Sequence, residues 1–465
     1  MKVGILGAGI GGSVLALELD RLGVDVDLID VDSLSKPFDR NRSLDVEFIT
    51  NSPSSGFQTR GYGFGGTSNL WHCVLTTLDD IDLEGFSVLS KNSYAQYRKR
   101  LERYFGSLDF LFEKKINPSR FSSRLLDKKI LLGKRYIVKT RPTKFRDYLI
   151  KSKGGPVFIE NAVVKLLNLS QKGDSVDSIV VNVGGIEKII EYDVVVLACG
   201  SLETPRILQQ SFDGGRFYNV NVGRHLTDHP SVFVGELRLP RKIFFRSHGS
   251  PFLSFFDARR LGYIFTAESQ IALEGNHALQ FRPALDKGSE EGRSALKRAI
   301  YNRGFRDLLK LFFTKVGFQM LLSLVSEKVG FGHITNTLAV SLHLEEAADI
   351  DRNLEFLSKE DQYGRKTIYV NDKISSRQLE QVKRTQDLLR QNLSDIGDFI
   401  SYDVRSNDFI SGSHYSGTCR FSPSEESGVV DENLRVHGLK NLYIADEKWY
   451  ETAAVRGEAA VQGLW

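Results

Sequence analysis

The chain opens with a short run, residues 2–6, whose interior positions are apolar, followed by six residues of which four are glycine. From Ser13 to Leu22 the apolar residues Val14, Leu15, Leu17, Leu19 and Leu22 recur near a helical period. From Val24 to Ile29 apolar and acidic positions alternate at the period of a strand. A strand, a glycine turn, a helix and a second strand closed by Asp30 predict the opening of a doubly wound α/β sheet.

Further along, the pattern changes. Residues 157–183 and 186–198 hold closely spaced β-rich runs, and a helix is predicted over Ser201–Gln210 after the sharp Cys199-Gly200 turn. Two more sets of strands are predicted, over about residues 230–282 and over 338–370. Between them, residues 294–329 interleave Phe, Leu and Val with Arg and Lys, as two amphipathic helices broken near Gly317 would. Ser375–Leu393 reads as a polar, charge-rich helix on the surface. There is no internal repeat and no low-complexity linker, so interleaved domains are expected.

Composition narrows the function classes. A chain of 465 residues, 41% hydrophobic, buries several cores without disulfides or structural metals and is not a disordered polymer. The charge is nearly balanced, 62 Lys and Arg against 58 Asp and Glu, which argues against a dedicated nucleic-acid binder. Cys73, Cys199 and Cys419 are scattered with no C-x-x-C spacing, so free thiols in a reducing compartment and no metal site are expected. The opening strand leaves no place for a removable signal segment, and no run reaches the ~18 apolar residues of a membrane span. A cytoplasmic protein is expected.

Four blocks carry the chemistry. Gly7-Ala8-Gly9-Ile10-Gly11-Gly12 fits G-x-G-x-x-G between a strand and a helix, with Asp30 about 20 residues on. Gly7 serves the tight turn, Gly9 the approach of a pyrophosphate, Gly12 the packing of helix on strand, and Asp30 accepts from ribose hydroxyls. This block alone does not separate NAD from FAD. The second block, Gly61 to Cys73, is rich in glycine and small residues and then carries Trp71, as backbone pressed against a flat ligand would. The third runs from Leu197 to Leu208 and on through Asn221-Val222-Gly223-Arg224-His225-Leu226-Thr227-Asp228-His229-Pro230. The fourth is His414-Tyr415-Ser416-Gly417-Thr418-Cys419-Arg420, followed by Gly428 to Asp431 and Leu434 to Asp446.

In order and spacing these blocks resemble the glucose-methanol-choline (GMC) oxidoreductases, a family of FAD enzymes, over roughly residues 1–80, 155–230 and 410–465. The stretch Gly65 to Trp71 is most similar to the branch of pyranose oxidase and the sugar dehydrogenases, which tilts the expected substrate toward a sugar, sugar acid or related alcohol. The resemblance implies a Rossmann-like FAD-binding domain from residues 1–85, 155–230 and 411–465. It is interleaved with an α+β substrate domain, built on an antiparallel sheet, from residues 86–154 and 231–410.

Residue by residue, the resemblance lays the ADP half of FAD on Gly7, Gly9, Gly12 and Asp30. The flavin ring falls against Gly65, Gly66, Thr67, Ser68, Asn69 and Trp71, with His72 packed nearby. Val163, Gly200 and Gly457 are cofactor contacts, and Asp446 lies near the ribityl and pyrophosphate part. Some relatives link the flavin through a histidine where Leu70 stands here, so non-covalent FAD is expected. His414 matches the active-site histidine that faces flavin N5, and imidazole suits the role of general base because it titrates near neutral pH. His225 and His229 are given structural roles, His437 a place in a surface turn, and Cys199 and Cys419 the part of buried thiols.

One position departs from the family. Where it places a second histidine or an asparagine, this chain has Arg456, followed by Gly457. A guanidinium accepts no proton, so Arg456 is expected to stabilise the reduced, anionic flavin, to clamp a substrate carboxylate, or to turn away to a surface carboxylate. The alternative is a redox-silent or lyase-like flavoprotein with a decayed catalytic pair. The electron acceptor is expected to be oxygen, a quinone or a redox protein, with no nucleic acid as partner. The insertion at 294–329 reads as a cap on the substrate domain or as a peripheral contact with the inner face of the membrane.

Overall fold

The computed structural model describes residues 1–36, 46–48, 61–69, 74–75, 96, 99–100, 102–104, 131–139, 144–152, 154–212, 219–245, 263–273, 278–283, 333–344, 351–412 and 414–445. Trp71, His72, Cys73, Asp446, Arg456, Gly457 and the insertion at 294–329 lie outside them.

Strands β1 (Lys2–Leu6), β2 (Asp25–Ile29), β6 (Val157–Ile159), β10 (Val194–Leu197) and β18 (Leu442–Ile444) form a parallel sheet in the order β18-β10-β1-β2-β6. Apart from β2, where Asp25 and Asp27 interrupt the pattern, its strands read as largely apolar runs because both faces are covered. On one face Val3, Ile5, Val26, Leu28 and Val196 pack on helix α1 (Ile10–Arg21) and on α2 (Phe145–Lys151). On the other face Leu6, Ile29, Val195, Leu197 and Ile444 meet a three-stranded antiparallel sheet of β7 (Ala162–Leu169), β8 (Val176–Val183) and β9 (Ile186–Glu191). Asp27 is buried on that second face, and Lys2 Nζ at 2.8 Å and the Tyr192 hydroxyl at 2.8 Å satisfy it.

A second large sheet is antiparallel throughout. It runs β17 (Asp398–Ser401), β11 (Ser231–Phe245), β14 (His333–His343), β13 (Ala278–Pro283), β12 (Tyr263–Leu273), β5 (Leu131–Lys139) and β4 (Val74–Leu75). Val232, Val234 and Leu237 of β11 and Leu338, Val340 and Leu342 of β14 face a core closed by helix α4 (Ser376–Asn392). The helix expected on the surface is thus half a core element: Val382, Thr385, Gln386 and Leu389, at helical spacing, are buried. Gln386 Nε2 donates to the carbonyls of Val234 at 2.9 Å and Tyr402 at 2.8 Å, which anchors the helix across the sheet. Ser375 and Gln378 form a capping box at its N-terminus.

Smaller pieces join the two halves. Strands β3 (Val46–Phe48), β15 (Asn353–Glu360) and β16 (Lys366–Asn371) make a third sheet, in the order β15-β16-β3. Leu354, Ile368 and Val370 of that sheet pack with Leu202 of helix α3 (Gly200–Phe212) and with Tyr415. Phe145 and Leu149 of α2 belong to the core of the parallel sheet, although the sequence division placed residues 86–154 on the substrate side. Their burial against Ala8 and Leu17 is a long-range contact with no local signature in the sequence. No helix among the described residues is long and apolar enough to cross a membrane.

Candidate active site

All the nucleotide-binding residues predicted from the first block converge at the carboxyl ends of the parallel strands, where open α/β sheets bind ligands. Gly7 follows β1 with φ +99°, and a Cβ there would stand 2.5 Å from the Ala198 carbonyl. A Cβ on Gly12 would lie 2.0 Å from the Gly7 carbonyl oxygen, so turn and helix touch through glycine alone. Helix α1 begins at Ile10, three residues earlier than the hydrophobic pattern indicated, because Gly11 and Gly12 form its first turn. Its N-cap, Gly9, supplies no side-chain hydrogen bond, and the first turn carries no acidic residue. The leading amides and the positive end of the helix dipole are left for an anion.

Gly9 differs from its neighbours. A Cβ there would meet nothing closer than the Ala198 carbonyl at 3.8 Å. The protein's own packing does not demand that glycine, whereas a pyrophosphate brought to the backbone would. Asp30, at the end of β2, accepts from the Ala8 amide at 2.7 Å through Oδ2, and its buried Oδ1 has no hydrogen-bond partner. Burial pushes its pKa up to about 6, against the pull of the Ala8, Asp32 and Val31 amides. A ribose hydroxyl donating to Oδ1 would satisfy that oxygen.

Glycines of the second block sit directly on this turn. The Gly65 amide donates to the Ala8 carbonyl at 2.7 Å, and a Cβ on Gly66 would approach Gly9 Cα to 2.8 Å. Residues Gly66–Asn69 form a 3₁₀ turn, in which Asn69 Nδ2 donates to the carbonyls of Phe64 and Gly66, both at 3.0 Å. Ser68 Oγ donates to the Gly65 carbonyl at 2.5 Å and accepts from the Phe145 amide at 3.1 Å, tying the loop to α2. Thr67 is exposed. Val163 is buried in β7, next to Ala162, whose amide donates to the Asp30 carbonyl at 2.9 Å. Gly200 opens α3 with φ +83° and open space where a side chain would be. These sites form one connected cradle.

His414 reaches the same end of the sheet by a different route. The segment from Gly223 to Ser231 is laced to the 410–418 strip: Thr227 and Ser416 exchange backbone hydrogen bonds at 3.0 Å, and Ser231 and Ile410 exchange theirs at 2.8 Å. A Cβ on Gly417 would lie 2.1 Å from the His225 carbonyl, so the two strips touch there. Ser201, at the start of α3, donates to the Tyr415 carbonyl and accepts from Thr418 Oγ1 at 2.8 Å through its own carbonyl. Asp228 is fully buried and accepts from Ser411 Oγ at 2.5 Å, the Gly412 amide at 2.9 Å and the His414 amide at 3.2 Å. The half-buried His414 ring lies 4.8 Å from the ring of buried His229, with the planes at 45°.

Beneath these groups is a buried charged cluster. Burial works against the Arg352 charge, and Asp372, Asp228 and Tyr415 support it. Arg352 donates to the Asp372 carbonyl at 3.4 Å, and the Tyr415 hydroxyl donates to Asp372 Oδ2 at 2.5 Å. Sequence reading had singled out neither Asp228, Asp372 nor Arg352. The signal available was the run Thr227-Asp228-His229-Pro230, where a charged residue is set among turn and strand formers. Cys419 is fully buried as expected, whereas Cys199 is half-buried and its thiol donates to the Leu6 carbonyl at 3.0 Å.

The GMC oxidoreductase family matches this chain in two parts, its N-terminal portion over residues 140–231 and its C-terminal portion over residues 351–449. The chain is a GMC oxidoreductase. No curated protein matches it in sequence. Among solved structures it is similar to pyridoxine 4-oxidase from Mesorbium loti, with 15% identity, a TM-score of 0.59, and coverage of 100% of this chain and 97% of that one. It is also similar to an FAD-dependent oxidoreductase from Chaetomium thermophilum, with 14% identity, TM-score 0.57, and coverage of 99% and 97%. A formate oxidase from Aspergillus oryzae RIB40, in an arginine variant made for its effect on FAD modification, gives 16% identity, TM-score 0.52, and coverage of 99% and 96%. At these identities the likeness is one of fold.

As a GMC oxidoreductase the chain uses FAD. The cradle fits that group: the uncapped N-terminus of α1 suits a pyrophosphate, the free Asp30 oxygen suits a ribose, and open space lies at Gly9 and Gly200. The two family portions take in both of these strips, since Asp228 and His229 fall in the first and His414 in the second.

Proposed function

We propose that this GMC oxidoreductase oxidises a hydroxyl-bearing carbon of a sugar, sugar acid or related small alcohol, with FAD bound non-covalently and His414 as the base. Bound FAD supplies the hydride acceptor. The observation that supports the reading is a half-buried imidazole whose backbone amide is held by a buried carboxylate and whose neighbour Tyr415 is tied to Ser201, next to Gly200. His414 takes the hydroxyl proton as the carbon gives up its hydride, and its pinned backbone limits the directions from which a substrate oxygen meets the ring. The experiment is anaerobic flavin bleaching against sugars, sugar acids, simple alcohols, pyridoxine and formate. His414→Ala should keep its yellow colour and lose roughly 10²-fold or more in the bleaching rate. Near wild-type bleaching by that variant would remove His414 from the mechanism.

A formate oxidase among the similar folds, together with Arg456 in place of the family's neutral or imidazole partner, favours acidic substrates within this class. A guanidinium grips a carboxylate with two parallel hydrogen bonds. Arg456→Asn should therefore weaken acids selectively and spare neutral alcohols. Acid precipitation should release all the flavin, because Leu70 offers no nucleophile. Oxygen uptake, compared with quinone and redox-protein reduction, identifies the acceptor. The basic and apolar residues of 294–329 support a docking role at an anionic membrane surface, tested by cosedimentation of the wild type and of Phe312→Ser with anionic vesicles.

A further inference from the structure

We infer that Asp228 and His229 form the positioning unit for His414, so that the acid–base device of this enzyme is a buried Asp-His dipeptide working on a histidine nearly two hundred residues away. The inference rests on the reading of His414 as base. Asp228 takes three donors from one short strip, Ser411 Oγ, the Gly412 amide and the His414 amide, and it has no exposed surface. That is more than a strand ladder needs. The two backbone bonds that join Thr227 to Ser416 already hold the strips together.

The adjacent residue completes the unit. His229 is fully buried and its ring lies 4.8 Å from that of His414, which is half-buried. At that separation a charge on one ring is felt by the other, and the buried ring restricts the orientations open to His414. Among the described residues the charged groups around the pair are Asp228, Asp372 and Arg352, with the Tyr415 hydroxyl on Asp372. Of these, the Asp228 carboxylate is the one bonded to the His414 backbone, and its negative charge favours the protonated form of the ring.

In this arrangement the second histidine or asparagine that the family pattern places at position 456 is not needed to steady the base. Arg456 is then released for the substrate or for the flavin, consistent with the preference for acids proposed above.

The test uses the flavin-loaded enzyme labelled with ¹³C at histidine Cε1. The resonance of His414 is identified by its loss in His414→Ala and titrated in wild type, Asp228→Asn, His229→Gln and Ser411→Ala. The expected result is a His414 midpoint about one pH unit lower in Asp228→Asn and displaced in His229→Gln, with the acid limb of the pH profile for flavin bleaching shifted the same way in each. The bleaching rate at saturating substrate should fall tenfold or more, with half-saturation changed less than threefold. Ser411→Ala removes one bond and keeps the charge, so a smaller loss in rate with little change in midpoint is expected. It also keeps the question open to measurement should Asp228→Asn fail to fold. An unchanged His414 midpoint in His229→Gln, together with an unchanged midpoint in Asp228→Asn or, should that variant fail to fold, an unchanged bleaching rate in Ser411→Ala, would overturn the inference. If His414→Ala bleached at the wild-type rate, the base assignment itself would fall, and with it any catalytic meaning of the coupling.

Discussion

The parallel sheet and the antiparallel sheet hold their parts together in opposite ways. At the parallel sheet the decisive contacts are backbone on backbone: Gly12 on the Gly7 carbonyl, Gly66 on Gly9, the Gly65 amide on the Ala8 carbonyl. At the antiparallel sheet they are side chain on side chain, with β11, β13 and β14 packed against Val382, Leu389 and Leu393. The first kind tolerates no added atom but leaves exposed amides and open space for a ligand. The second tolerates substitution in proportion to the volume removed. A binding cradle needs the first property and a scaffold can live with the second.

The largest effect should come from the tightest backbone contact. Gly12→Ala puts a methyl 2.0 Å from a carbonyl oxygen that cannot rotate away, so the purified variant should contain no flavin and melt well below the wild type. Gly9→Ala is the control, since its Cβ has 3.8 Å of clearance: the fold should persist and only flavin affinity should drop. Equal losses of stability in the two variants would contradict the distinction between packing glycine and ligand glycine.

Next in size is Leu389→Ala, in the core of the antiparallel sheet. Removing a fully buried leucine should cost about 2–5 kcal/mol by denaturant unfolding, with flavin retained in the folded fraction. Loss of flavin at full stability would show that the two regions are coupled more closely than their separate cores indicate.

Asp30→Asn has a smaller effect, visible mainly as a change with pH. Burial lifts the Asp30 carboxyl to about 6, so in the flavin-free protein the folded state favours its protonated form. Stability of that form should fall as pH rises from about 4 through about 6, because the unfolded carboxyl ionises first. A ribose hydroxyl needs the ionised acceptor, so FAD affinity should rise as pH climbs through about 6. Asn flattens both slopes. Titration of the flavin-free protein with FAD at pH 5 and pH 8 measures this, and a pH-independent affinity in the wild type would remove Asp30 from the ribose site.

At the small end stands Arg384→Ala, which breaks an exposed pair with Glu380 on the outer face of α4. It should change stability by no more than about 0.5 kcal/mol. A larger loss would mean that this face is covered in solution.

Much of the cradle was legible because it is written in local spacing. A strand, four glycines in six residues and an acid after the next strand determine a turn whatever the rest of the chain does, since only glycine satisfies both a positive φ and a carbonyl at contact distance. The antiparallel sheet was legible as strands over about residues 230–282, but its order was not, because strand neighbours such as β13 and β14 are chosen by packing on a shared core. Helix α4 looked like a surface helix, since its buried stripe includes Thr385 and Gln386, and a glutamine is recognisable as a core residue only when its carbonyl partners on Val234 and Tyr402 are in view.

The same division runs through the surroundings of His414. Sequence alone determined that an imidazole at 414 stands in a strip of small residues, and the family resemblance aligned Arg456 with a histidine or asparagine. Tertiary structure alone decided what holds the backbone of that residue. Asp228 lies 186 residues from His414, and nothing in the spacing of either strip says that a carboxylate will take three donors from the other, or that the two rings will meet. Such contacts follow from burial. Once the strips are zipped away from water, each polar group must find its partner within them, and the choice depends on which groups the fold has brought to the same place.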